Sequence, residues 1–415
     1  MTFHGTVASG VHESVGSHAS GAARALRLGV ICDYVEERWP SMDLFGDMLV
    51  ETLREQYASA IGAEQLRPSI RRRFSRIPGC AGLFWNADRL WNRFFDYPAW
   101  LARRAEEFDL FHLVDHSYGQ LLRELPDGRT VVTCHDIDTF RCILEPEFDP
   151  RPRWFRSMAQ RSLRGFLRAA QVICVSSFTR AKLLEYRLFP PEKISVIPPG
   201  VDPAFLRREW PDGLLPDALP AWPDNYLLHV GSTIRRKRID ILLRVFARVV
   251  RNFPDIKLMR VGGLTAEQSR LAHELGVVDK IVTVSNLSKD QLANVYRNAL
   301  TVLQTSDAEG FGLPVIEAMA CGCPVVASDI PPLREAGGDT AEYCPAGDLE
   351  AWTETVVKLV AEHKQFPERW ELRRCAASNH ARSYTWTENV KRTIAVYEHV
   401  CGRAIPIQAR VIPRS

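Results

Sequence analysis

Short apolar runs alternate with longer stretches of helical period along most of the chain. The first series occupies residues 26–32, 110–114, 130–134, 172–175 and 194–197. The second occupies residues 226–230, 257–261, 280–284, 301–304 and 324–327. Each run is short and almost continuously apolar, as a strand covered on both faces of a parallel sheet must be. Between them, segments such as 239–250 and 290–299 place apolar residues on one helical face. Strands alternating with helices predict doubly wound α/β sheets.

The two series are separated by residues 210–223, WPDGLLPDALPAWP, with four prolines in fourteen positions. Such a stretch continues neither a helix nor a central strand, so it reads as an interdomain linker. The expected organisation is a flexible tail over 1–24, a first Rossmann-like domain over 25–209, the linker, and a second domain over 224–384. A closing helix over 385–403 either finishes the second domain or crosses back to the first. Two such domains enclose a cleft, and ligands of doubly wound sheets bind beyond the carboxyl ends of the strands.

Length and composition agree with this division. A chain of 415 residues is too long for one ordinary core. Hydrophobic residues at 46% and charged residues at 25% fit a folded globular protein. A net charge of +3 gives no global reason to expect a nucleic-acid partner. The ten cysteines form no C-x-x-C pair, so a reducing, cytoplasmic setting without a disulfide framework is expected. No run approaches the roughly 18 apolar residues of a membrane span, and residues 1–24 lack the apolar stretch of a signal peptide.

The candidate chemistry lies after two strands of the second series. Glu309-Gly310-Phe311-Gly312-Leu313-Pro314-Val315-Ile316-Glu317 follows the run 301–304. Pro314 suits the first position of a helix. Gly310 and Gly312 let a ligand approach the backbone, and a helix start with free N–H groups favours a phosphate. Glu309 and Glu317 are carboxylates able to accept from vicinal diols. Taken alone, Glu317 also reads as an ordinary first-turn carboxylate facing the helix dipole. Gly231-Ser232-Thr233-Ile234-Arg235-Arg236-Lys237-Arg238 follows the run 226–230. Its cations sit at a strand's carboxyl end, where they would meet a diphosphate; a solvated basic turn is the ordinary reading.

These residues resemble the family 4 glycosyltransferases, which have the GT-B fold and retain anomeric configuration. The family's two glutamates around a G-F-G-L-P core match Glu309 to Glu317 in full. Its glycine followed six positions later by lysine matches Gly231 and Lys237, with Arg236 ahead of the lysine. Weaker likenesses extend over much of the chain: His135-Asp136, Val175-Ser176-Ser177, Ile197-Pro198-Pro199-Gly200-Val201-Asp202, Val261-Gly262-Gly263, and Trp386 with Tyr397.

The resemblance implies that Arg236 and Lys237 bind a donor diphosphate, Glu309 the transferred sugar and Glu317 the ribose. Gly231, Ser232 and the 310–313 backbone (Gly310, Phe311, Gly312, Leu313) would complete the donor pocket. Leu287, in Asn286-Leu287-Ser288, would lie at the base. His135 would stand near the reacting sugar.

The family often carries a Gly-Gly pair after its first strand. Here the chain reads Trp39-Pro40-Ser41-Met42-Asp43-Leu44-Phe45-Gly46, so a wider loop or contacts through Ser41 and Asp43 are expected on the acceptor side. Asp115 and His116 are further acceptor-side candidates.

The implied reaction is retaining transfer of a hexose, such as mannose or glucose, from a GDP- or UDP-sugar to a glycan or lipid-linked acceptor. No metal and no cofactor are expected, since no D-x-D pair is free of the His135-Asp136 match. Arginines at 67, 71–73 and 76, and an Arg- and aromatic-rich stretch over 151–168, suggest an anionic membrane surface as a further partner. A nicotinamide dehydrogenase is excluded because Ile31-Cys32-Asp33 replaces the glycine fingerprint. A phosphorylase lacks a signal for its Schiff-base lysine. A nucleotide-sugar epimerase and a non-catalytic sugar-nucleotide sensor remain alternatives on the same architecture.

Overall fold

The computed structural model describes residues 24–75, 81–207, 223 and 225–406. The expected linker at 210–223 and tail at 1–24 fall almost entirely outside the described residues. The chain builds two six-stranded sheets. The first has the order β2-β1-β3-β4-β5-β6, the second β12-β11-β10-β7-β8-β9. Every pairing is parallel. The first comprises β1 (Leu26–Ile31), β2 (Ile61–Leu66), β3 (Leu110–Leu113), β4 (Thr130–Cys134), β5 (Gln171–Cys174) and β6 (Ile194–Val196). The second comprises β7 (Tyr226–Val230), β8 (Lys257–Val261), β9 (Ile281–Val284), β10 (Thr301–Gln304), β11 (Val325–Ser328) and β12 (Glu342–Cys344).

Helices cover both faces of each sheet, which is why the central strands β3, β4, β5, β10 and β11 are buried along their whole length. This is the GT-B architecture; it agrees with the doubly wound α/β sheets read from the alternating runs and with the fold that the resemblance implies. The sequence reading missed two strands. β2 is an edge strand whose exposed and half-buried positions carry Gly62, Glu64 and Gln65, and β12 is only three residues long.

The last helix, Trp386–Cys401, packs on the first sheet. Trp386, Val390, Ile394 and Tyr397 share one buried cluster with Leu26, Leu28, Leu49 and Val131. The Tyr397 hydroxyl lies 2.6 Å from His112 Nδ1, deep under that sheet. The chain reaches this helix beside the end of the first domain, where the Val201 N–H donates to the Tyr384 carbonyl at 2.9 Å. Gly200 permits the crossing, because a Cβ there would sit 2.4 Å from the Trp386 nitrogen.

Candidate active site

Topology brings the two motifs together. The order of the second sheet reverses between β7 and β10, which pair directly through Leu227–Thr301 and Leu228–Val302. The loops leaving these two strands therefore flank one crevice, the place where such sheets bind ligands. Backbone contacts lock the loops: the Asp307 N–H donates to the Arg236 carbonyl at 2.8 Å, and the Thr305 hydroxyl to the Lys237 carbonyl at 3.0 Å.

At the centre, Lys237 Nζ stands 2.6 Å from Glu309 Oε1, and both side chains are buried. Gln304 Nε2 and Ser306 Oγ each donate to the same carboxylate oxygen at 2.7 Å. Burial alone would raise the Glu309 pKa. The Lys237 charge and hydrogen bond, the Ser306 hydrogen bond and the Arg236 charge outweigh it, and the carboxyl titrates below its ordinary range.

The helix Leu313–Ala320 starts at Gly312, whose φ of 118° is a conformation that favours glycine. Pro314 is its second residue, not its first, and Glu317 its fifth, beyond the first turn. Glu317 is therefore not a first-turn dipole carboxylate. Its Oε2 accepts from the Tyr296 hydroxyl at 2.9 Å. Burial pushes Glu317 up to about 7, against the Tyr296 hydrogen bond; Asp202 adds to the rise and Lys289 opposes it. Phe311 is buried against Tyr384, with ring centres 5.6 Å apart, so its side chain packs the loop in place. Ser232 is exposed, and its carbonyl accepts from Arg260 at 3.1 Å. Leu287 sits on the turn after β9 and packs on the core cluster that holds Val315 and Ile316.

The first domain closes over this crevice. A Cβ at Gly310 would stand 2.0 Å from the His135 carbonyl oxygen, so two loops from opposite domains touch backbone to backbone. Arg236 reaches across to Asp138 at 3.0 Å and Asp136 at 3.4 Å. Glu335 of the second domain accepts from the Ser177 N–H at 2.8 Å, capping the helix Ser177–Glu185 of the first. His135 Nε2 lies 2.8 Å from the Val114 carbonyl, which can only accept. The proton therefore resides on Nε2, and Nδ1 is left as an acceptor. Burial holds His135 below its ordinary pKa.

The acceptor-side candidates fare differently. Ser41 is exposed, but in the first turn of the helix Pro40–Gln56 instead of in a wide loop, and Asp43 faces Arg67 at 3.4 Å. Asp115 accepts from the Ser117 N–H at 2.8 Å, and His116 is buried between Phe140 and Phe166. Both have internal partners that shape the loop after β3, and His116 Nε2 lies 3.7 Å from Asp136, the carboxylate that Arg236 reaches across the crevice. Arg67 and Arg73 are likewise ion-paired, with Asp43, Asp47 and Asp96, whereas Arg71 and Arg72 are exposed; Arg76 lies outside the described residues.

Sequence reasoning missed Gln304, Ser306, Tyr296 and Arg260. Arg260 is fully buried in β8 and holds the loop after β7 through the Gly231 carbonyl at 2.9 Å. An arginine between the apolar Met259 and Val261 in the body of a strand was the available signal.

Two Rossmann-like sheets, with a cationic loop and a glycine-lined helix start at the switch point of the second, define a GT-B protein. Residues 49–205 match the family described as Glycosyltransferase Family 4, and residues 219–374 match Glycosyl transferases group 1. The chain belongs to the family 4 glycosyltransferases. It is 33% identical over 237 residues to D-inositol 3-phosphate glycosyltransferase of Segniliparus rotundus, a match covering 55% of this chain and 52% of that protein. The chain thus spans about half the length of that relative. It is 27% identical to O-antigen chain mannosyltransferase B of Escherichia coli, covering 65% of this chain and 70% of that one. Among solved structures, sucrose-phosphate synthase from Thermosynechococcus elongatus superposes with a TM-score of 0.67 at 20% identity, covering 91% of this chain and 99% of that chain.

Proposed function

We propose that this protein transfers a hexose with retention of configuration from a GDP- or UDP-linked donor to a glycan or lipid-linked acceptor. The observation that carries the reading is the convergence of Arg236, Lys237 and Glu309 beside the helix start at Gly312, on one crevice at the sheet's switch point. The names of the relatives, a glycosyltransferase and a mannosyltransferase, support the reaction class.

In this reading the donor diphosphate lies between the two cations and the N–H groups at the helix start, which stabilise its negative charge as the bond to the sugar breaks. Arg236 exchanges its carboxylate partners for phosphate oxygens. Glu309, kept anionic by its neighbours, orients the sugar hydroxyls, and Glu317 takes the ribose diol. The acceptor oxygen forms the new bond on the face the diphosphate leaves, and its proton passes to a departing phosphate oxygen. Two side-chain cations supply the positive charge that a metal supplies elsewhere, so activity is expected to withstand a chelator. Leu287 lies toward the base.

No helix among the described residues is long and apolar enough to cross a membrane. A cytoplasmic protein that docks peripherally is the proposed setting, through Arg153, Trp154 and Arg156 at the exposed start of the helix Arg153–Phe166. Replacing Arg153 and Arg156 by Glu should release it from anionic vesicles.

A thermal-shift screen against UDP- and GDP-sugars tests the donor assignment. One nucleotide series should raise the melting temperature of the wild type, and the rise should vanish in Lys237→Ala. No shift with either series, or equal shifts in the variant, would remove the donor site.

A further inference from the structure

Away from the cleft, the first domain holds a second cavity that glycosyl transfer does not use. It has a volume of about 590 Å³, within the range of small-molecule sites. One wall is the helix Ala81–Trp91 and the π turn Asn92–Asp96 that continues it; the other is the helix Arg153–Phe166.

The first wall is aromatic. Trp91 stacks near Phe95, with ring centres 4.8 Å apart, and Phe74 meets the Trp91 edge at 6.2 Å. Trp91 is 42% exposed and Phe95 54%, unusual for large rings beside a ready cavity. The wall is also fixed. Buried Asp88 accepts the backbone N–H groups of Arg73, Phe74 and Ser75 at 2.8, 3.0 and 2.9 Å, pinning the segment that carries Phe74. The opposite wall is basic. Arg161 and Arg164 line it, and Arg123 joins them. Among the described residues, none of the three has a carboxylate within ion-pairing distance. Arg161 lies over Phe94 and Phe95 at 5.5 and 5.9 Å and donates to the Phe94 carbonyl at 3.3 Å. Its Nε is buried without an acceptor.

An apolar trough flanked by three guanidinium groups free of carboxylates is complementary to an anionic amphiphile. We infer that this groove binds a single hydrocarbon chain carrying a phosphate group, with the chain against Phe74, Trp91, Phe95 and Met158 and the phosphate on Arg123, Arg161 and Arg164. Aromatic rings cover a flexible chain without needing polar partners, and arginine forks fit phosphate oxygens. The inference does not depend on glycosyl transfer. It differs from membrane docking through Arg153 and Arg156 in that it needs one dissolved molecule, not a bilayer.

The test is titration of the full-length protein with a dodecyl phosphate brominated on its chain, below its micellar concentration, followed by tryptophan fluorescence. Saturable quenching is expected, with most of it lost in Trp91→Phe. Reversing the exposed charges in Arg123→Glu/Arg164→Glu should weaken binding about tenfold or more while leaving thermal stability and donor hydrolysis unchanged. Equal affinity for a brominated dodecyl maltoside would overturn the phosphate assignment. Absence of saturable quenching, or quenching unchanged in Trp91→Phe, would overturn the site. Vesicle binding that persists when monomer binding is absent leaves the docking helix standing and sinks the groove.

Discussion

Gly310→Ala isolates the contact between the two domains. Gly310 does not sit at a positive φ, so the variant adds a methyl group without forcing alanine into the left-handed region. That methyl would lie 2.0 Å from the His135 carbonyl oxygen and 3.0 Å from its carbon. An ordinary carbon–oxygen contact needs about 3.4 Å or more, so the loops must separate by roughly 1.4 Å. Neither loop yields easily. Glu309, next to Gly310, is held by Lys237, Gln304 and Ser306, and the His135 carbonyl also accepts from Thr179. The relief is therefore parting of the domains. Misplacing reacting groups by about 1 Å can cost on the order of 100-fold in rate. The Gly310 N–H and the cations remain, so donor binding to the second domain should change by no more than about threefold. Steady-state turnover, donor calorimetry and small-angle scattering would be measured on the same preparations. The reasoning fails if Gly310→Ala keeps wild-type turnover and an unchanged radius of gyration.

Other expectations follow from the same geometry. Lys237→Met leaves the buried Glu309 carboxylate without its cation and should cost about 3 kcal/mol of stability; adding Glu309→Gln should recover much of it without restoring activity, read by melting temperature and turnover. Glu317 is raised to about 7 from an ordinary 4.5, so the unfolded chain releases this proton first, and stability should fall as pH rises from about 4.5 to 7. The loss amounts to about 3 kcal/mol, and Glu317→Gln should flatten it in urea titrations across that window. Asp136→Asn/Asp138→Asn frees Arg236 from its partners across the cleft and should tighten nucleoside diphosphate binding a few-fold by calorimetry; unchanged affinity would show that these carboxylates do not compete with phosphate.

Much of this was legible in the residues because strands buried on both faces announce themselves as apolar runs. The motif loops were legible because the spacing of Gly231 and Lys237 and of Glu309 and Glu317 resembles the family 4 pattern; the basic run alone reads as a solvated turn. What stayed hidden depends on neighbours distant in sequence. Arg67 has few acids beside it along the chain, yet β1 and β2 pair in parallel and set it against Asp43 and Asp47 on the intervening helix. Tyr296 reads as one more core aromatic until its hydroxyl is found on Glu317, twenty-one positions away. Asp115 and His116 follow a strand, and only the fold shows His116 buried against Phe140 and Phe166, with Asp136 3.7 Å from its Nε2.

The parallel run of Val201 beside Thr385, with Trp386 against Gly200, has a mechanical meaning. The polypeptide leaves the first half and returns to it at adjacent points, like the two threads of a book's spine. Such a spine restrains sliding and stretching while leaving rotation about one line, the motion that would open and shut the crevice. It also ties the fate of the first half to the far end of the chain. Removing residues after 385 would strip the cover from β1, β3 and β4 and melt the domain most distant from the cut in sequence, while the second sheet kept its own core.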